Sequence, residues 1–381
     1  MKIIKAGVTQ PKGFLANSIY CGIKRSGRPD LSLIYSKFPC SAAGVYTQNS
    51  VKAAPLIISK SHLKDGTARA VICNSGNANC FTGSFGLIYA KRMAEITAKL
   101  LKIKTSDVIV ASTGIIGQPL PFAKIADKAP LLVHSLGSRR INGTAAALGI
   151  MTTDLMTKEI AVSVELDGAT VTIGGCAKGS GMIEPNMATM LGFLTTDAAI
   201  DSTMLKKALK IATDLSFNRI TVDGCMSTND MVTIMANGAA GNALITKEDK
   251  NFKLFCEALI VVCLDLAKKI VLDGEGASKF IEVHIGGAPN EKTALKAAKA
   301  VANSNLVKTA DYDQPNPNWG RIAAAIGSLG IKIDEETLKI SVKNQKNIVR
   351  LEADLHMGKA EATVYSCNLT EEYIRINGKY N

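Results

Sequence analysis

The chain has 381 residues, 47% of them hydrophobic, enough to bury a large core in one large domain or two lobes. Its formal charge is +12, but the lysines and arginines are spread along the chain and aromatics are only 5%, which argues against a nucleic-acid partner; an anionic small-molecule substrate suits the charge equally well. The longest unbroken apolar run, Ala258 to Leu264, stops at Asp265 and is far too short to span a membrane.

In chain order, the first periodic signal is helical, with Met93, Ile96 and Leu100 spaced for one face. From Ile160 to Ile173 apolar residues alternate (Ile160, Val162, Val164, Leu166), then Asp167-Gly168 supplies a tight turn, which predicts a β-hairpin. That hairpin feeds Gly174-Gly175 and then the run from Lys178 to Leu191. Leu205, Ala208, Leu209 and Ala212 predict a second helix. Asp311 to Asn318, with two prolines among Asp and Asn residues, is the most loop-like stretch. Leu338 to Val342 and Ala362 to Val364 read as late strands. Periodicity alone therefore gives a mixed chain, α/β or α+β, without internal repeats.

Cysteine and histidine carry little chemistry here. Nine cysteines, with no Cys-x-x-Cys, favour buried free thiols over a disulfide framework or a zinc site. His62, His134, His284 and His356 are scattered and offer no metal-ligand pair, so no metal is expected.

The informative stretch is Lys178-Gly179-Ser180-Gly181-Met182-Ile183-Glu184-Pro185-Asn186-Met187-Ala188-Thr189-Met190-Leu191. It is not a phosphate loop, because Lys178 precedes Gly179 where such a loop needs Gly-Lys-Ser/Thr. It does place a hydroxyl, Thr189, behind the small residue Ala188, with no histidine nearby in the sequence. That arrangement suits a chain that cuts itself. The hydroxyl attacks the Ala188 carbonyl, an N-to-O acyl shift gives an ester, and water releases a new N-terminus. The freed α-amine has an ordinary pKa of about 8 and can serve as base for the hydroxyl beside it. Lying at the end of sheet structure, such a nucleophile would be held by a rigid scaffold.

This run resembles the processing signature of the ornithine acetyltransferase (glutamate N-acetyltransferase, bifunctional arginine-biosynthesis) family. The resemblance extends along nearly the whole chain. It includes Gly7-Val8-Thr9, Gly44-Val45-Tyr46-Thr47, Asn74-Ser75-Gly76-Asn77-Ala78-Asn79, Ser112-Thr113-Gly114 and Met151-Thr152-Thr153-Asp154. After Thr189 it continues with Ser216-Phe217-Asn218-Arg219, Thr221-Val222-Asp223-Gly224, Ser227-Thr228-Asn229-Asp230, Asp273-Gly274-Glu275-Gly276 and Trp319-Gly320-Arg321. Family-like residues begin at Gly7, so no signal or transit segment is expected and a soluble, cytoplasmic protein is. The chain departs from the pattern at Cys225-Met226, where Asp-Thr is more usual, and at Asn316, where Asp is. It also ends at Asn381, one position short of a hydroxyl residue that relatives place near substrate.

The resemblance implies layers of sheet sandwiched by helices, similar to the β-aminopeptidase fold. It implies cleavage between Ala188 and Thr189 into an alpha chain, 1–188, and a beta chain, 189–381, which fold together as a heterotetramer of two copies of each. Thr189 is then the nucleophile, and Thr113 with Gly114 the oxyanion hole. Lys178, Glu275, Asn377, Thr189 and either Thr152 or Thr153 are the substrate contacts. The implied reaction moves acetyl from N2-acetylornithine to glutamate by double displacement, without metal or organic cofactor; some relatives also accept acetyl-CoA. Two rival classes remain: a hydrolase of the β-aminopeptidase type with the same nucleophile, and a basic binding protein without catalysis.

Overall fold

The structure is a computed structural model that describes residues 1–184, 190–314 and 319–379. It is a mixed α/β protein, as expected. The chain divides into two compact units. The first comprises Met1–Gly179, Asn186–Asn218 and Met226–Ala267; the second comprises Ser180–Pro185, Arg219–Cys225 and Lys268–Asn381.

In the first unit the strands are β1 (Lys2–Ile4), β2 (Phe14–Ile19), β3 (Leu31–Tyr46), β4 (Thr67–Asn77), β5 (Val108–Ile115), β6 (Lys158–Leu166), β7 (Ala169–Lys178), β8 (Leu191–Thr196) and β9 (Met231–Ala236). Among the described residues they form one mixed sheet in the order β1-β6-β7-β8-β9-β3-β4-β5, with β2 also paired to β3. The long β3 has β2 beside its first half and β9 beside its second, with a register shift between Tyr35 and Cys40. Pro39 lies in that shift and has no N–H to give a ladder. The helices are α1 (Ala54–His62), α2 (Gly83–Leu101), α3 (Phe122–His134), α4 (Arg140–Ile150) and α5 (Ser202–Asp214), and α6 (Lys250–Leu272) begins here. The boundary between the units falls within α6, after Ala267.

Alternation in the central strands buries both faces of this sheet. Leu31, Leu33, Ile72, Val108 and Val110 pack with Met93 and Ala94 of α2 and Ile125 and Leu132 of α3. The opposite phase, Ile34, Val71, Ile109 and Ala111, packs with Ala146, Ala147 and Ile150 of α4. The α2 face expected from Met93, Ile96 and Leu100 is rotated. Met93 is fully buried, but the core stripe is Gly86, Ala90, Met93, Ala94, Thr97 and Ala98, and Ile96 and Leu100 flank it half-buried. Small residues hid that stripe from a reading based on large apolar ones. In α5 the expected Leu205, Ala208, Leu209 and Ala212 are all buried, and Asp201 caps the helix by accepting the Met204 N–H at 2.8 Å.

The hairpin forms as its sequence implies. Leu166 pairs with Ala169 across Asp167 (φ 48°) and Gly168 (φ 84°), the two left-handed residues of a tight turn. Its second strand, β7, ends at Lys178, which stands opposite Leu191 at the start of β8.

The second unit holds β10 (Phe280–Ala288), α7 (Glu291–Asn303), α8 (Asn305–Lys308), α9 (Gly320–Gly327), β11 (Lys339–Gln345), β12 (Ile348–Asp354), β13 (Ala360–Cys367) and α10 (Glu371–Lys379). Among the described residues it has a sheet in the order β11-β12-β10-β13. Ile281, Val283, Ile285, Leu351 and Val364 pack against the alanine face of α7, namely Ala294, Ala297, Ala298 and Ala302. The two late strands expected at 338–342 and 362–364 are β11 and β13. No helix among the described residues is long and apolar enough to cross a membrane.

Candidate active site

Ser112, Thr113 and Gly114 sit at the end of β5, beside Ser75 and Gly76 of the parallel β4. Gly114 has φ +132°, and a Cβ there would fall 2.3 Å from the Gly76 carbonyl carbon and 2.5 Å from the Asn77 nitrogen. Only glycine fits. Around this corner, buried side chains hold the backbone. Asn229 donates to the carbonyls of Ala78 (2.6 Å) and Ser112 (2.8 Å), Ser112 donates to Asn74 Oδ1 (2.6 Å), and Asn74 donates to the Asn77 carbonyl (2.9 Å). The asparagine-rich segment 74–79 is therefore a frame for residues 112–115.

Thr113 and Lys178 are both nearly buried, and the Lys178 ammonium lies 3.5 Å from the Thr113 hydroxyl. Met190 is 3% exposed, and its carbonyl accepts the Met231 N–H at 3.0 Å. β7 thus ends, and β8 begins, at the same lysine. Pro185 to Thr189, including the expected nucleophile Thr189 and its neighbour Ala188, lie outside the described residues.

One carboxylate organises this edge. Asp154 Oδ1 accepts from the Lys158 ammonium and from the Gly179 N–H, each at 2.7 Å, and Oδ2 accepts the Thr152 N–H at 2.9 Å. Asp154 is 1% exposed and Lys158 fully buried. Burial would push the Asp154 carboxyl up, but the Lys178 and Lys158 ammoniums and the hydrogen bonds outweigh it and hold it well below the usual carboxylate range. Thr152 and Thr153 are half-buried in the turn after α4. Sequence reading assigned Asp154 and Lys158 no role, yet a signal was present. Lys158 is in phase with the buried Ile160, Val162, Val164 and Leu166 of β6, so its charge had to find a partner.

A third cation, Lys24, joins the same electrostatic set as Lys158 and Lys178. Asp30, fully buried, accepts the N–H groups of Cys21 and Ile23 (2.6 Å each) and Lys24 (2.9 Å). Burial lowers the Lys24 ammonium to about 8, against upward pulls from Asp30 and Asp154, and Lys178 adds to the lowering.

In the second unit, Glu275 is 8% exposed, so it is not a solvated residue of a glycine-rich turn. Its N–H donates to the Ser180 carbonyl at 3.0 Å, and Asn377 Nδ2 donates to its Oε2 at 2.7 Å. The two expected substrate contacts of this unit therefore touch each other. A Cβ on Gly181 would fall 2.3 Å from Glu275 Oε2, so the carboxylate occupies the space that glycine leaves. Asp223 accepts the N–H groups of Met182 (2.6 Å) and Ile183 (2.8 Å) and the Tyr373 hydroxyl (3.2 Å). Asn381 lies outside the described residues. Among the described residues, no cluster of three or more His, Cys, Asp and Glu is placed to hold a metal. Eight of the nine free cysteines are buried, and Cys225 is exposed.

A family model described as the ArgJ family matches residues 15–381. The arginine biosynthesis bifunctional protein ArgJ of Symbiobacterium thermophilum is 46% identical over 404 residues, covering 100% of both chains. That of Oceanobacillus iheyensis is 44% identical over 403 residues, covering 100% of this chain and 98% of its own. Among solved structures, the ornithine acetyltransferase of Mycobacterium tuberculosis, complexed with ornithine, is 38% identical, with a TM-score of 0.46 over 50% of this chain and 98% of its own. Matched over nearly its whole length by the family model and by full-length relatives, the chain belongs to the ArgJ family.

Proposed function

We propose that the protein is a self-processing glutamate N-acetyltransferase of arginine biosynthesis, working in the cytoplasm on free amino acids. It carries acetyl from N2-acetylornithine to glutamate on the Thr189 hydroxyl. Membership of the ArgJ family supports the reaction class. The observation that carries the site is the approach of Lys178 to Thr113, at the point where β7 ends opposite the start of β8. Antiparallel pairing of β7 with β8 supports the reading that 1–188 and 189–381 remain folded together after cutting.

In the first half-reaction the Thr189 amine takes the proton of its own hydroxyl, and the oxygen attacks the acetyl carbonyl. The negative charge that develops there is met by the Thr113 hydroxyl and the Gly114 N–H, each such donor being worth about 3 kcal/mol to the transition state. Ornithine leaves with the proton on its amine, and an acetyl ester remains. Glutamate's amine then attacks the ester; its proton passes by way of the Thr189 amine to the Thr189 oxygen as the ester C–O bond breaks, and N-acetylglutamate departs. Both amino acids present an α-carboxylate, which the Lys178 ammonium holds. Thr152 or Thr153 lines the site beside it. Glu275 and Asn377 contact substrate, a carboxylate beside an amide that accepts or donates as the side chain requires. Acetyl enters and leaves as an acyl group, so no redox or organic cofactor takes part.

The test mixes N2-acetylornithine with and without glutamate and follows ornithine release, with acetyl-CoA as alternative donor in a parallel arm. Rapid turnover only with glutamate present is expected. Equal turnover in water alone indicates a hydrolase, and no release in either condition indicates a binding protein.

A further inference from the structure

The helix that carries Asn377, α10, has nine residues, and none of them is buried. An isolated helix shorter than about 12–15 residues is marginal in water. Its Ile374 is 68% exposed, so apolar packing does not hold α10 in place. Polar contacts within the second unit do.

These contacts lie on one face, because Tyr373 and Asn377 are one helical turn apart. The Tyr373 hydroxyl donates to Asp223 Oδ2 at 3.2 Å. Asn377 Nδ2 donates to Glu275 Oε2 at 2.7 Å and to the Tyr373 carbonyl at 3.0 Å. Ahead of the helix, Thr370 Oγ1 donates to the Gly276 carbonyl at 2.7 Å. Gly276 has φ +70°, and a Cβ there would fall 2.6 Å from the Tyr373 nitrogen. Glycine thus lets α10 start directly against the turn that carries Glu275.

The contacts close a circuit. Asp223 accepts the N–H groups of Met182 (2.6 Å) and Ile183 (2.8 Å), and the nearby Ser180 carbonyl accepts the Glu275 N–H at 3.0 Å. From Glu275 the path runs through Asn377 and Tyr373 to Asp223, then back along residues 183–180 to Glu275. The Tyr373 hydroxyl is the step that joins the helix to Asp223. Its acceptor is a carboxylate, which strengthens the bond. Burial and the Asp223 charge push the Tyr373 hydroxyl up from its ordinary value, so it remains a donor at neutral pH.

We infer that Tyr373 is a positioning residue for substrate binding. Through Asp223 it fixes the rotation of α10, so that Asn377 stays on Glu275 and the carboxylate meets the substrate side chain in one orientation. The role rests on the reading of Glu275 and Asn377 as substrate contacts. Because Tyr373 acts through Asn377, its loss weakens binding more than it slows acyl transfer.

The test is a double-variant cycle. It measures kcat and KM, for N2-acetylornithine and for glutamate, in the natural protein, Tyr373→Phe, Asn377→Ala and the two combined. Tyr373→Phe removes one oxygen and keeps the ring, so it should fold, which a thermal melt checks. Tyr373→Phe is expected to raise KM by about fivefold, the worth of one hydrogen bond, with a smaller change in kcat. It should add little to the rise that Asn377→Ala causes alone, since residues acting along one chain of contacts are not additive. A natural KM in Tyr373→Phe, or its full effect retained on top of Asn377→Ala, overturns the role. Loss of the fold in Tyr373→Phe overturns it too, because a hydroxyl that only orients an unburied helix is not needed for folding. Failure of the underlying reading looks different, since Asn377→Ala would then leave both KM values natural.

Discussion

Asp154 accepts the Gly179 N–H at 2.7 Å, and so ties the turn carrying Thr152 to the first residue of the segment that leads to Thr189. The same carboxylate faces the buried Lys158 ammonium. Asp154→Asn keeps the shape but removes the charge, and breaking a buried pair in this way costs about 3–5 kcal/mol. We expect a matching fall in the denaturant midpoint, and a milder one for Asp154→Asn combined with Lys158→Met, which removes the unbalanced cation too. Because the Asp154 carboxyl is held below its ordinary range, its contribution is present at neutral pH and lost only as pH falls through its folded value. Equal loss in the single and double variants would show that the ion pair is not what is being broken.

Thr113→Ala removes one of the two proposed oxyanion donors with little change in volume. A fall in kcat of about a hundredfold or more, with a smaller change in KM, is expected in correctly cut protein. Unchanged kcat would take Thr113 out of the mechanism. Gly114→Ala should be worse, since its Cβ would meet the Gly76 and Asn77 backbone at 2.3 and 2.5 Å; there the expected result is loss of folded protein, read by yield and melting temperature.

Local features of this fold were legible in the sequence, and pairings were not. Alternation and Asp167-Gly168 placed the β6–β7 hairpin, and helical spacing placed α5, because both signals are complete within a short window. The α2 stripe was misjudged because alanine, glycine and threonine form it. The grouping of 180–185 and 219–225 with 268–381 joins segments far apart in sequence, which no local period records. The same holds for the site. Thr113, Gly114, Lys178, Glu275 and Asn377 were named through family resemblance. Asp154 was visible only as a member of a quoted motif, since its importance comes from burial and from partners brought to it by the fold.

Lys24 and the Thr189 amine should give opposite pH limbs. The amine, with an ordinary pKa of about 8, must be neutral to act as base, so kcat should rise with pH. We propose that Lys24, electrostatically coupled to Lys178, helps it attract the anionic substrate; lowered to about 8 by burial, it loses its charge over the same range, so KM for glutamate should rise as pH passes that value. Lys24→Gln should flatten the KM limb and leave the kcat limb. A KM profile unaffected by the substitution would exclude Lys24 from holding the anionic substrate.

Asn377→Ala removes a donor to the Glu275 carboxylate. A hydrogen bond to a charged group is worth about 1.5–3 kcal/mol, so KM should rise by about tenfold or more while kcat changes little. Gly181→Ala should act through the same carboxylate, because its Cβ would displace Glu275 Oε2. If both variants keep the natural KM for N2-acetylornithine and for glutamate, Glu275 is a structural residue and its place among the substrate contacts is lost.

The most direct measurement is the intact mass of the purified protein after incubation with N2-acetylornithine alone, and again after glutamate is added. Two chains should be found, one of them starting at Thr189 and heavier by a single acetyl group, which disappears when glutamate arrives. Thr189→Ala should give one uncut chain that never gains acetyl. A full-length, unacetylated natural chain that nonetheless transfers acetyl from N2-acetylornithine to glutamate would contradict the assignment of Thr189 as both cleavage site and acyl carrier.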